Sequence, residues 1–250
     1  MSEVRTVERP DEPEAGGVRT APATERERPS RPKSKLSSWS MRLPARWVRA
    51  VLWEILLEPF VRTFYDLRAV GLEHLEKVPG PVIFAANHCA HLDNGFIIMA
   101  LPWRWRRRLA IAAASAEIFG PRHFGLPIKG MLARLLGNAF PFTRRRARPR
   151  VAFFQSLLEQ GWSVLVFPEG KLTVCGPMQP FKPGVGLMAV ETGVPVVPVR
   201  VDVTRRGPWE GAGRLSRGAI EVRFGEARRF GDGDDPAAAT SWLEAAVRGQ

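Results

Sequence analysis

The chain has 250 residues, 45% of them hydrophobic, which is enough for one domain of about 200 residues plus a tail, with a core that needs no disulfides. Its two cysteines, Cys89 and Cys175, lie far apart and in no C-x-x-C pattern; this argues against a disulfide framework or a metal knuckle and fits a reducing cytoplasm. The formal charge is +12, yet residues 1–38 carry eight basic against seven acidic side chains, so the folded part is the basic object and calls for anionic partners: nucleic acid, an anionic bilayer or phosphorylated substrates.

Residues 1–38 are rich in Pro, Glu, Arg, Ser and Thr and cannot bury enough apolar surface to offset their ordering entropy, so a disordered tail is expected. No apolar stretch follows a basic start, as a signal peptide requires. Nor does any window reach the ~18 apolar residues of a spanning helix. An amphipathic helical segment is predicted over 39–64, where Trp47, Val48, Val51, Leu52, Ile55 and Leu56 recur at helical spacing. It packs on its own domain or lies in a membrane interface; Pro59 is expected to kink or end it.

Strands are predicted at 81–86, 109–114, 138–142, 163–167, 194–201 and 219–224, several apolar throughout and therefore buried on both faces. Helices are predicted at 93–101, 125–136, 148–160 and 183–192. That alternation implies a single α/β layered domain over 65–230 with a largely parallel or mixed sheet flanked by helices, followed by a C-terminal helix or tail over 231–250. In such sheets, ligands sit beyond the strands' carboxyl ends.

His88 falls at such an end, in the loop between the strand at 82–86 and the helix from about Asp93, with Asp93 near the N-cap. A histidine there can take a proton from a hydroxyl if a carboxylate fixes its tautomer, and Asp93 is within loop reach. No serine completes a hydrolase and no G-x-S-x-G elbow is present, so a substrate hydroxyl would be activated instead. Two plainer readings stand beside this one: Asp93 as a helix cap with His88 a satisfied loop residue, or a zinc site from His88, Cys89 and His91, which lacks a fourth ligand. His91 and Asn87 read as residues supporting the base, and Cys89 as a small filler.

Four blocks in fixed order sharpen the picture: NHCAHLD from Asn87, GNAFPFTR from Gly137 to Arg144, VFPEGKLT from Val166 to Thr173, and GVPVVPV from Gly193 to Val199. Together they resemble the glycerolipid acyltransferase family, in particular its bacterial 1-acylglycerol-3-phosphate acyltransferases, over about residues 65–205. The resemblance implies a glycerol-3-phosphate acyltransferase-like fold with an N-terminal membrane-associating segment. It also implies transfer of a fatty acyl group from acyl-CoA or acyl carrier protein to the hydroxyl of lysophosphatidic acid, with no cofactor, no metal and no nucleic acid. His88 would be the general base, Asp93 its orienter, and backbone N–H groups near Gly170 would meet the oxyanion.

By the same resemblance Arg144, with Gly137 in its block, binds the acceptor phosphate, and Glu169 and Gly170 shape the acceptor pocket. Pro195 and Pro198 set a strand edge lining the site. The usual third block continues T-R-S where this chain has Lys171, Leu172 and Thr173. One expected arginine is therefore absent and the acceptor lipid is left open; AASAEIF, Ala113 to Phe119, also lacks the lysine many members carry ahead of a Glu-Leu pair, and Lys129, Lys171 or Lys182 is the candidate replacement charge. The run LPWRWRRRL, Leu101 to Leu109, interleaves tryptophan with arginine, a composition suited to anionic headgroups. These features place the enzyme, peripheral or monotopic, on the cytoplasmic face of the membrane. Phe96, Ile97 and Met99 line an acyl groove or simply fill the core. The remaining alternatives are an acyltransferase for another lyso-lipid and a non-catalytic membrane-binding protein of the same fold.

Overall fold

A computed structural model describes residues 43–90, 92–114, 139–142, 147–213 and 216–250. The tail expected over 1–38 and the helix expected over 125–136 lie outside these residues. The described chain forms a seven-stranded mixed sheet: β1 (Tyr65–Val70), β2 (Ile83–Ala86), β3 (Leu109–Ala114), β4 (Ala139–Phe142), β5 (Ser163–Val166), β6 (Val196–Arg205) and β7 (Gly218–Phe224), in the order β1-β7-β6-β2-β5-β3-β4. Neighbours run parallel except β6 and β7, which are antiparallel.

The all-apolar runs become the central strands. Every residue of β2 and β5 is buried, because helices cover both faces. Phe84 and Ala86 point to one core, with Tyr65, Phe96, Ile97, Leu101 and Trp105. Ile83 and Ala85 point to the other, with Phe154, Leu157, Val185, Met188, Leu243 and Val247. This period of two sends alternate side chains to opposite layers. The first layer contains α3 (Leu72–Glu76), α4 (Asp93–Ala100) and α5 (Trp103–Arg106); the second contains α6 (Ala147–Glu159), α7 (Gly184–Thr192) and α8 (Pro236–Arg248). A Cβ at Gly186 would collide with the carbonyl of Pro236 and the hydroxyl of Thr240, so this glycine sets how closely α7 meets α8.

β7 alternates buried with half-buried residues, as a strand with one covered face must. Its outer face carries a relay of alternating charge: Arg200 to Asp202 (2.9 Å), Asp202 to Arg223 (2.9 Å), Arg223 to Glu221 (2.5 Å) and Glu221 to Arg68 (3.5 Å). β1 escaped the sequence reading because its interior Asp66 and Arg68 interrupt the apolar signal. The relay explains Arg68, and Asp66 pairs with Arg205 (3.3 Å) and Arg217 (2.8 Å).

Two local expectations are corrected. Pro59 does not end the N-terminal helix: α1 (Leu43–Leu52) passes through a π turn (Trp53–Leu57) into α2 (Glu58–Phe64). The N–H of Glu58 bonds to the carbonyl of Trp53, five residues back, and this wider register absorbs the donor Pro59 lacks. Pro195 and Pro198 do not mark a sheet edge, since β6 is interior. The Pro198 carbonyl accepts from Gly225 at 2.9 Å, so its missing N–H also faces β7, at the irregularity between the Val199–Phe224 pair and the Val196–Arg228 bridge. Phe96, Ile97 and Met99, exposed by 0%, 0% and 4%, take the second of their two readings and fill the core.

Candidate active site

His88 stands just beyond the carboxyl end of β2, on a loop held from three directions. From β6, the side-chain amide of Asn87 donates to the Val201 carbonyl (2.9 Å) and accepts the Val201 N–H (2.7 Å). An asparagine here imitates one more residue of strand, prolonging the pairing past Ala86–Val199. From α4, Asp93 Oδ2 accepts the N–H groups of Cys89 (2.8 Å) and Ala90 (3.0 Å) and the Nδ1–H of His88 (2.7 Å). Asp93 is therefore not a helix cap: it stands in the first turn of α4, makes no cap bond to it, and reaches back to fold the loop around itself.

The third hold comes from the FPEG block. Glu169 is 2% exposed. Its Oε1 accepts the N–H of His88 (2.7 Å) and its Oε2 the N–H of Gln179 (2.7 Å). The loop after β5 then runs beside the histidine loop, with Thr173 N–H on the His88 carbonyl and Cys175 N–H on the Cys89 carbonyl, both at 3.0 Å. Phe167 stacks on the imidazole with centroids 4.4 Å apart and planes 28° apart. Neither the stack nor the Glu169 clamp was read from sequence, although both residues stand in the quoted block.

With Nδ1 committed to Asp93, the neutral imidazole keeps its proton there and presents Nε2 as the basic atom. Nε2 has no partner among the described residues, and the side chain remains 22% exposed. Asp93 is fully buried. Burial pushes its carboxyl above the usual range, opposed by the His88 bond and the backbone donors of Ala90 and Cys89. Burial, with Asp93 nearby, pushes the Cys89 thiol far above its ordinary value; it donates to the Val201 carbonyl at 3.0 Å and is not poised as a nucleophile.

Of the other expected site residues, Lys171 is exposed on the loop tied to His88. The N–H of Gly170 donates to the Phe167 carbonyl at 3.0 Å, so the turn itself takes one of the backbone donors expected near this glycine. Gly137, Arg144 and His91 lie outside the described residues. In the tryptophan–arginine run, Arg106 turns inward: it donates to the carbonyls of Leu101 (2.6 Å) and Met99 (2.5 Å) at the end of α4 and pairs with Glu54 (3.3 Å) and Glu58 (3.4 Å) of the N-terminal helix. That docking leaves Trp47, Ile55 and Leu56 exposed by 65%, 71% and 61%.

A buried carboxylate, an oriented imidazole and an accessible Nε2 together make a base, with no activated nucleophile beside it among the described residues. A model of the Acyltransferase family matches residues 67–202. A 1-acyl-sn-glycerol-3-phosphate acyltransferase of Pseudomonas aeruginosa is 32% identical over 198 residues, covering 77% of this chain and 68% of that one. A chloroplastic enzyme of the same name from Brassica napus is 32% identical over 178 residues, covering 69% and 47%. The chain spans about half the length of such plant relatives or less. The crystal structure of the 1-acyl-sn-glycerophosphate acyltransferase PlsC from Thermotoga maritima shares the fold, with a TM-score of 0.60, 22% identity, and coverage of 82% of this chain and 78% of that one.

Proposed function

The chain belongs to the acyltransferase family, and from that premise we propose that it transfers a fatty acyl group from acyl-CoA or acyl carrier protein to the free hydroxyl of lysophosphatidic acid, giving phosphatidic acid. The His88–Asp93 pair, 2.7 Å apart with Asp93 sealed from solvent, carries the reading. Nε2 removes the hydroxyl proton as the alkoxide attacks the thioester carbonyl carbon. The imidazolium that forms is stabilised by Asp93 and faced by the Phe167 ring. When the tetrahedral adduct collapses, the C–S bond breaks and His88 returns the proton to the leaving thiolate. No acyl-enzyme is required, in keeping with a Cys89 thiol held protonated as a hydrogen-bond donor.

Acceptor identity rests on the names of the relatives and on the phosphate role that the family resemblance gives to Arg144 and Gly137. Lys171, on the loop bonded to His88, is the residue we assign to the charge that the usual T-R-S continuation would supply. A second reading, another lyso-lipid acceptor, is favoured by that same replacement. We place the enzyme at the cytoplasmic membrane face, resting on the apolar side chains of the N-terminal helix. No described helix is long and apolar enough to cross a membrane. The test is acyl transfer from oleoyl-CoA to lysophosphatidic acid and to a panel of other lyso-lipids by wild type and His88→Ala. Turnover on lysophosphatidic acid that vanishes in the variant is expected; turnover only on a different acceptor selects the second reading, and none with either thioester donor overturns both.

A further inference from the structure

At the opposite end of the sheet from His88, where β2 and β5 begin, a cleft of about 290 Å³ opens between Pro79, Gly80, Arg104, Arg108, Gly161 and Ser163. Its volume is several times the ~30 Å³ share of a water molecule, so it accommodates more than solvent. No carboxylate lines it. The contrast with the cleft at the start of β1 is informative: there Arg68 and Arg217 already face Glu221 and Asp66, and the charge is spent.

Three donors in the first cleft are incompletely used. Arg108 makes no side-chain hydrogen bond or ion pair among the described residues. It lies over Gly161, where a Cβ would stand 2.6 Å from its Nη1, so the guanidinium rests directly against the backbone of that turn. Arg104 donates one N–H to the Leu75 carbonyl and rests 5.1 Å over the Trp105 ring, which fixes its position and leaves donors to spare. Ser163, 3% exposed, accepts the N–H of Val82 at 3.2 Å, while its own hydroxyl proton finds no acceptor among the described residues. A buried hydroxyl donor and two guanidinium forks lining one cleft offer the donor chemistry that a tetrahedral oxyanion takes.

We propose that this cleft is a phosphate-binding site, separate from the catalytic loop, that takes the phosphate of an anionic lipid headgroup or of a soluble phosphate ester. The inference does not depend on the acyl-transfer reading, because binding is measured without a thioester. Trp103, 46% exposed, stands one residue from Arg104 with Arg107 over its ring at 5.8 Å, beside the cleft rather than in it. Arg107 is therefore the natural control: it carries the same charge on the same turn but lines no part of the cleft.

The experiment compares full-length wild type, Arg108→Ala and Arg107→Ala in two arms: co-sedimentation with phosphatidylcholine vesicles with and without phosphatidic acid, and calorimetric titration with glycerol 3-phosphate. Arg108→Ala is expected to weaken binding roughly tenfold in at least one arm, the cost of one charge-assisted contact, with less than a twofold change for Arg107→Ala. Loss confined to the vesicle arm identifies a headgroup; loss in the titration arm identifies a soluble ester. Equal losses in the two variants mean diffuse surface charge, and no binding in either arm means no site; either result overturns the proposal. His88→Ala should bind like wild type, which keeps failure here distinct from failure of the catalytic reading.

Discussion

Glu169 holds the backbone of His88: one carboxylate oxygen of this buried side chain takes the His88 N–H and the other the Gln179 N–H, both at 2.7 Å. The glutamate thus ties the loop after β2 to the loop after β5 and fixes the point from which the imidazole extends. Glu169→Gln keeps one acceptor and turns an amide N–H toward the other donor. We expect kcat to fall ten- to a hundredfold, the usual cost of a misplaced catalytic group, with KM for lysophosphatidic acid unchanged. A rise in KM at constant kcat would instead make Glu169 an acceptor-pocket residue. Glu169→Ala, which leaves both N–H groups unpaired, should cost about 2–6 kcal/mol in chemical denaturation.

Asp93→Asn separates the chemistry from the fold. The amide oxygen can still accept the N–H groups of Cys89 and Ala90, but the buried charge that stabilises an imidazolium is gone. The rate should drop by roughly 10³- to 10⁴-fold, the scale for an orienting carboxylate, with the thermal midpoint at neutral pH held or raised.

The same carboxyl predicts a pH dependence of stability. Burial, its largest influence, raises the folded pKa of Asp93 above the unfolded one, so the native state binds the proton more tightly. Stability from this group therefore falls as pH rises from the ordinary carboxylate range through the raised value. Wild type should lose stability relative to Asp93→Asn across that window, measured by urea midpoints at stepped pH. A difference independent of pH would show that the Asp93 pKa is unshifted.

Phe167→Leu removes the ring stacked on His88 while keeping an apolar side chain. A face-on aromatic stabilises a cation by about 1–2 kcal/mol, so kcat should fall about five- to thirtyfold with KM unchanged. An unchanged kcat would reduce Phe167 to packing.

Ile55→Ser with Leu56→Ser tests the membrane face of the N-terminal helix. Because both side chains are largely exposed, the thermal midpoint should stay within a degree or two. Vesicle association should weaken at least tenfold if both side chains enter the bilayer. A loss of stability with unchanged vesicle binding would mean instead that these side chains pack on protein.

The sequence announced the central strands because two-sided burial leaves continuous apolar runs: Leu109–Ala114 matches the prediction to the residue, and β2 and β5 within two; β7, also within two, was legible from its alternation. β1 was hidden because its outer face is compensated by partners distant in sequence, Arg68 by Glu221 and Asp66 by Arg205 and Arg217. His88 and Asp93 could be paired because they stand only five positions apart. Glu169 was visible only as a motif letter, since its partner is a backbone N–H 81 positions away, and main-chain donors leave no mark in a sequence. Asn87 was noticed but not understood for the same reason, its two bonds ending on the backbone of Val201.

The single antiparallel seam between β6 and β7 also fixes where the chain enters the sheet. β1 runs against β2, so Tyr65 and the end of α2 lie at the end where β2 stops and His88 begins. β6 continues past its last pair with β2 at Val199 to Arg205, and with β7 and β1 it rises beyond the histidine loop as an overhanging wall. Reaction centre and helix terminus are thus delivered to one end of the molecule by strand polarity alone. On the proposed function, a lipid drawn from a bilayer touching that helix terminus would reach His88 without travelling around the sheet.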